Sequence, residues 1–145
     1  MVMRTEQAEL EMDQQMGAAV TDHSVQLTAT LSGNKVSITG SGGATLQPKS
    51  GEHKFNFTLV DQTNLNLTFS SLDAADNCTD CPPPSGQNSQ QIHAVHMNGT
   101  TASFTDSNSG GAMPVSYQWN FTCNDPSKLP ISYDPIINNG GSNVT

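Results

Sequence analysis

The chain has 145 residues, of which 13 are acidic and 5 are basic, and its formal net charge is −8. This balance argues against nucleic acid and anionic membranes as partners, because both are bound through basic surfaces. Ser, Thr, Asn and Gln together supply 54 residues, a composition that favours strand surfaces and turns over long helices. The length fits one domain, and no apolar run is long enough to span a bilayer.

Residues 1–22 form an acidic segment that differs from the rest of the chain. They are rich in Glu, Gln, Met and Ala, and Thr5 and Gly17 are suitable residues for the start and end of a helix. Their apolar residues make no continuous helical face. We therefore predict a marginal helix or a disordered segment over 1–22, followed by a single domain over 23–145. The apolar stretch of a secretory signal is missing behind Arg4, so we expect a cytoplasmic location unless another export route operates.

The hydrophobic period becomes two from residue 24 onward. Apolar residues occupy every second position of the first run: Val25, Leu27, Ala29 and Leu31. This pattern predicts a half-buried strand. Gly33 and Asn34 tolerate positive φ and predict a two-residue hairpin turn into a second strand, and residues 39–44 predict a loop.

Two further alternating runs, 55–59 and 65–69, are separated by the polar residues 61–64. We predict that these runs form a second hairpin. Residues 70–89 show no regular period and predict the longest irregular stretch.

The dipeptide Asn98-Gly99 is the strongest short hairpin signal in the chain. It lies between strand-like runs at 92–97 and 102–105. The first of these runs changes phase, because Ile92 and Val95 fall on opposite faces of a regular strand. A bulge, or burial on both faces, is expected there.

The clearest strand covers residues 115–123, in which every odd-numbered residue is apolar. It places Tyr117 and Trp119 on the inward face, and Pro126 marks the turn that follows it. A last short strand is expected within 129–137. Seven or eight short strands with one apolar face each predict an all-β fold, an immunoglobulin-like antiparallel β-sandwich.

Four stretches resemble the bacterial DP-EP family: LVDQTNLNLTFSSLD (59–73), NSQQI (88–92), SYQWNFTCNDPSK (116–128) and YDPIINNGG (133–141). These motifs are strand cores and turns rather than catalytic signatures. The resemblance implies a sandwich fold and a bacterial origin. It carries over no functional residue, because that family is itself uncharacterised.

Cys78 and Cys81 have the CxxC spacing used by zinc sites and by redox sites. Together with His93 and His96 they imitate a Cys2His2 set, but zinc fingers carry their histidines on a helix and these two lie in a strand-like run. The three prolines after the motif enforce an extended chain, whereas redox motifs of this kind precede a helix. Structural cysteines are therefore the expectation, with Cys123 in the core and one disulfide left open for the other two.

Several oxygen-bearing side chains gather in the predicted irregular stretch: Asp73, Asp76, Asn77 and Asp80. Hard cations such as calcium prefer oxygen ligands, although the spacing of an EF-hand is absent and a solvated acidic loop is the alternative. Asp106 and Asn108 form a second candidate loop. The candidate ligands of a calcium or zinc site are Asp73, Asp76, Asp80, Cys78, Cys81 and His93.

Catalytic constellations are not apparent in the sequence. It has no GxSxG motif, and His23 and His53 have no nucleophile at a recognisable spacing. We therefore expect a protein that is not an enzyme and needs no cofactor. It would act as a binding or assembly module, and sheet edges would be the surface for protein partners or self-association. The alternative is a calcium- or zinc-dependent module or enzyme using residues 73–81.

Overall fold

A computed structural model describes residues 20–79 and 89–140. These residues form ten strands, β1 (Thr21–Ser32), β2 (Lys35–Gly40), β3 (Ala44–Thr45), β4 (His53–Asp61), β5 (Thr68–Asp76), β6 (Ile92–Asn98), β7 (Thr101–Asp106), β8 (Met113–Thr122), β9 (Ile131–Tyr133) and β10 (Ile136–Asn139), with one short 3-10 turn (Pro126–Lys128). The all-β prediction is confirmed, with more strands than the seven or eight expected. β1 begins inside the predicted N-terminal segment, and the helix predicted there lies outside the described residues.

The strands build two sheets, in the order β2-β1-β4-β7-β6 and β3-β10-β8-β5, and β9 pairs with β8 as well. Two pairings are parallel, β1 with β4 and β10 with β3. They depart from the purely antiparallel arrangement that was expected. The alternation of apolar and polar residues cannot distinguish parallel from antiparallel pairing, because strands of either direction have the same side-chain period.

The two sheets pack face to face through their aromatic side chains. Phe57 of the first sheet lies 5.4 Å from Trp119 of the second, and Phe104 lies 4.9 Å from Tyr117, both as ring-centroid distances. Tyr117 and Trp119 are fully buried. Their place in the core, predicted from the alternation of β8, is confirmed.

Both short hairpins that the turn residues predict are present. Ser32 pairs with Lys35 across the turn at Gly33, and Asn98 pairs with Thr101 across the turn at Gly99. The two glycines have positive φ values of 64° and 63°, which glycine adopts at little cost. The register of β6 shifts between His93 and His96, so the predicted bulge is confirmed.

The predicted hairpin between 55–59 and 65–69 is wrong. β4 pairs with β1 and β7, whereas β5 pairs with β8, so the chain crosses from one sheet to the other between them. The Asp61 carboxylate stabilises this connection, because it accepts hydrogen bonds from the backbone amides of Thr63 (2.8 Å) and Leu67 (2.9 Å). A polar connection of this length therefore serves either a hairpin or a change of sheet.

The irregular stretch predicted at 70–89 is wrong for its first part, because β5 continues to Asp76. A register shift between Phe69 and Ser71 separates Phe69 from the next inward residue, Leu72, by three positions. This bulge interrupts the alternation of inward and outward side chains, so the sequence of β5 does not show a strand period of two. Asp73 and Asp76 consequently lie on a strand and not in a loop.

Candidate functional site at the loop end

Asn108 joins three segments of the chain at one end of the sandwich. Its backbone amide donates to Asp106 Oδ1 (2.9 Å), and its Nδ2 donates to the Gln47 carbonyl (2.9 Å) and to Ser50 Oγ (3.1 Å). Its Oδ1 accepts from the Gly140 amide at 2.8 Å. The residue adopts a φ of 50°, which asparagine tolerates better than most residues. We call this region the loop end and define it as residues 46–52, 89–91, 106–112 and 139–140.

A cleft of 370 Å³ opens at the loop end between residues 48–49 and 108–112. Among the lining residues that belong to 20–79 and 89–140, Lys49 is the one charged side chain, and the others include Pro48, serine, glycine and alanine. Lys49 has a φ of 60°, an uncommon conformation for a residue other than glycine. Such backbone conformations cluster at functional sites, and they persist only where the surrounding structure enforces them.

Three side chains form a hydrogen-bonded row that runs from the loop end toward β1. Ser50 Oγ lies 2.8 Å from His53 Nε2, and His53 Nδ1 lies 2.8 Å from His23 Nε2. Burial lowers the pKa of His53, and the nearby His23 lowers it further. His53 is therefore neutral at pH 7, with one ring nitrogen donating a hydrogen bond and the other accepting one.

This row of side chains resembles the nucleophile and base of a serine hydrolase, but all hydrogen-bonding positions of the serine hydroxyl are occupied. Ser50 Oγ donates to the Gln47 carbonyl at 2.8 Å and also contacts Asn108 Nδ2 and His53 Nε2. A hydroxyl has one donor and two acceptor positions, so these three contacts use all of them. Ser50 thus joins loop segments and presents no lone pair to a substrate carbon. This arrangement was not predicted from the sequence, because His23 is distant in the chain and the short spacing from Ser50 to His53 is a weak signal by itself.

A buried polar cluster lies next to Asn108. Asn139 Nδ2 donates to Asp106 Oδ1 (2.8 Å) and to Gln91 Oε1 (3.2 Å). Asp106 and Asn139 are both 0% exposed. Burial raises the pKa of Asp106 to about 6, against the hydrogen bonds that it accepts from Asn108 and Asn139, and the charge of Asp76 adds to the rise.

Two oxygen atoms of this cluster lack a hydrogen bond. Asp106 Oδ2 and Asn139 Oδ1 are buried, and no donor reaches either of them from the described parts of the chain. Buried polar atoms are satisfied in the great majority of cases. Two unpaired oxygens on neighbouring side chains therefore need an explanation.

The carboxylates predicted as metal ligands are held by other groups. Asn120 Nδ2 donates to Asp73 Oδ2 at 2.9 Å. Asp76 accepts hydrogen bonds from the Ser89 hydroxyl and from the Gln90 amide (2.7 Å). Because Asp73 and Asp76 are three residues apart on one strand, their side chains point to opposite faces. The structure therefore does not bring them together at one site.

The remaining predicted ligands are also dispersed. Cys78 is disulfide-bonded and Cys123 is a free cysteine that packs against the core. His93 Nε2 lies 3.4 Å from the Glu52 carboxylate near the surface. The other two predicted ligands, Asp80 and Cys81, lie outside the described residues. Within residues 20–79 and 89–140, no three side chains of His, Cys, Asp or Glu come close enough to share one metal ion.

No protein-family model matches this chain, and neither does any curated protein sequence. Among solved structures, the inclusion body protein PixA from Burkholderia cenocepacia J2315 aligns with 81% of this chain and 95% of its own length, at 8% identity and a TM-score of 0.28. A likeness of that size does not inform the fold or the function of this chain. No helix in the part of the chain that the structure describes is long and apolar enough to cross a membrane.

Proposed function

We propose that this protein is a non-catalytic binding module and that its ligand site is the cleft at the loop end. The observation that carries the proposal is the set of four hydrogen bonds made by Asn108, three donated and one accepted, which holds residues 47, 50, 106 and 140 around the cleft. A cleft with fixed walls binds a ligand without the entropic cost of ordering its loops. Asp106 contacts the lining residue Asn108 directly, and His53 contacts it through Ser50. Shifted pKa values, which both residues have, are enriched at functional sites.

The lining of the cleft favours a small ligand with one anionic group. Lys49 would pair with that group, and the otherwise uncharged lining would contact a neutral body. A ligand of high negative charge is disfavoured, because the chain itself carries a net charge of −8. The chemical class that we propose is therefore a small monocarboxylate.

The proposal is tested by calorimetry and thermal unfolding with a panel of small carboxylates and their uncharged amide analogues. We expect at least one carboxylate to bind, and its amide analogue to bind about tenfold more weakly, which corresponds to about 1.4 kcal/mol. Lys49→Gln should weaken binding to the same degree. Lys35→Gln, which removes the same charge at the exposed first residue of β2, should not. Equal affinity for acid and amide, equal effects of the two variants, or turnover of ester substrates would overturn the proposal.

Sheet edges are the other surface proposed for partners. β2 and β6 are the edge strands of the first sheet. β6 carries the bulge, and Ala94 within it has a φ of 54°. Bulges on edge strands hinder pairing with another chain. Self-association through this edge is thus less favoured than binding at the loop end.

One structural feature argues against the cytoplasmic location that the sequence predicts. Cys78 is disulfide-bonded, and disulfides are typical of oxidising compartments rather than of the cytoplasm. A cytoplasmic location, an immunoglobulin-like topology and membership of the DP-EP family all stay predictions. Mass measurement of the protein from its native cells, before and after thiol alkylation, would decide the redox state of Cys78.

A further inference from the structure

The unpaired oxygens at the loop end belong to two side chains in direct contact. Asn139 uses its Nδ2 for hydrogen bonds to Asp106 Oδ1 and Gln91 Oε1, which fixes its Oδ1 on the other side of the amide group. Asp106 uses its Oδ1 for two donors, Asn108 N and Asn139 Nδ2. The remaining oxygen of each residue is fully buried and unpaired. Both are acceptors, so neither can satisfy the other.

A second carboxylate is held near this pair by residues 89–91. Asp76 accepts hydrogen bonds from Ser89 and Gln90, and the next residue, Gln91, contacts the Asn139 amide. The charge of Asp76 reaches Asp106 and raises its pKa, against which the nearby His93 acts weakly. The two buried, unpaired oxygens of Asp106 and Asn139 and the partly buried Asp76 carboxylate thus belong to one connected cluster, in which a bound cation would give both unpaired oxygens a partner and offset the negative charge.

We propose that this cluster binds a divalent cation of the calcium type, with Asp106 Oδ2 and Asn139 Oδ1 as ligands and Asp76 as the second negative charge. Calcium takes six to eight oxygen ligands from carboxylates, amide or backbone carbonyls and water, in flexible geometry. The cluster offers oxygen atoms and no sulfur or imidazole nitrogen among these three residues, which disfavours zinc. The site keeps Asp76 from the sequence-based candidates and replaces the others with Asp106 and Asn139. It does not depend on whether the cleft binds a ligand.

The proposal is tested on the whole protein after treatment with a chelator that is then removed. Calcium chloride is added up to about 1 mM, the weak limit of dissociation constants for calcium modules, while binding heat and the unfolding temperature are recorded. We expect one ion per chain and a rise in unfolding temperature. Asp106→Asn should abolish both responses, and Asp76→Asn should weaken calcium binding at least tenfold.

Asp134→Asn is the matched control, because it removes one negative charge from an exposed residue outside the cluster. It should leave the calcium response unchanged. Asp76 is only partly buried, so Asp76→Asn gives a second, independent test of the site. The proposal is overturned if the wild-type protein shows no response at 1 mM calcium. It is equally overturned if Asp106→Asn and Asp76→Asn respond as the wild type does, since binding would then occur elsewhere and Asp106 would be satisfied by a proton or a water molecule.

Discussion

Asn139 donates a hydrogen bond from its Nδ2 to Asp106 Oδ1 over 2.8 Å, and both side chains are completely buried. Asn139 ends β10 in the second sheet and Asp106 ends β7 in the first. At the loop end the two sheets are therefore joined by polar groups, whereas the aromatic rings of Phe57, Phe104, Tyr117 and Trp119 join them in the interior. Burying a carboxylate in this position costs stability, and the cost depends on pH.

Asp106→Asn should stabilise the protein above pH 6 in the absence of divalent cations. The pKa of Asp106 is about 6 in the folded protein and 3.8 ordinarily, so the folded chain holds more protons between these values. Its stability therefore falls as the pH rises from 3.8 to 6, and the full penalty remains above pH 6. Asparagine does not ionise, so the variant should gain about 3 kcal/mol at pH 7.5 and nothing at pH 3.5. Urea unfolding at both pH values measures this difference, and an equal gain at both would contradict it.

His53 should give the opposite pH dependence. Its pKa is lowered from 6.5, so protonation favours the unfolded chain, and the stability that the neutral ring contributes is complete above pH 6.5. This contribution is lost as the pH falls from 6.5 through the folded pKa. His53→Gln removes two hydrogen bonds and should therefore lower the unfolding temperature at pH 7.5. On acidification below pH 6.5, the stability of this variant should fall less than the stability of the wild type. His96→Gln, at an exposed position, serves as the control. Parallel losses in His53→Gln and wild type would refute the assignment.

Asn108 should be the most sensitive residue of the loop end. Asn108→Ala removes three side-chain hydrogen bonds and places alanine at a φ of 50°, so we expect a loss of about 3 kcal/mol. Asn108→Gly loses the same bonds without the strain and should be about 1 kcal/mol more stable than the alanine variant. Denaturant unfolding compares the two. If alanine and glycine were equally harmful, backbone strain at this position would play no part.

Phe104 should be essential to the interior. Its ring lies within 6 Å of four others, those of Phe55, Phe57, Tyr117 and Trp119. Phe104→Ala should cost about 3–5 kcal/mol by leaving a cavity between the sheets. The exposed Val60 of β4 supplies the control, since Val60→Ala should change the free energy of unfolding by about 0.5 kcal/mol or less. A small effect at Phe104 would show that the sheets can close over the cavity.

Short-range signals predicted the parts of the fold that local chemistry decides. Gly33 and Gly99 mark their turns because each needs positive φ, and the odd-numbered residues of β8 face the core because the side-chain period of a strand is two. Neither signal specifies a partner strand. The parallel pairing of β1 with β4 and the crossing between β4 and β5 therefore could not be predicted.

The candidate site was predicted only in part for the same reason. Asp76 and Asp106 were each noted as members of separate loops, and the structure connects them through residues 89–91. Asn139 gave no signal at all, because an asparagine at the end of a strand is ordinary. Burial decides its importance, and burial of a polar side chain follows from tertiary packing rather than from local sequence.

We expect binding to take place at the loop end and not on a sheet face. The most direct test is the position of backbone amide shifts in two-dimensional NMR spectra during titration with calcium and with small carboxylates. We predict that the shifted amides cluster within residues 46–52, 89–91, 106–112 and 139–140, together with Asp76 in the calcium titration. Two shallow depressions of 340 and 280 Å³ meet at Asn56 and Thr58 on the outer face of the first sheet. Shifts centred on that face, with the loop end unchanged, would contradict binding at the loop end.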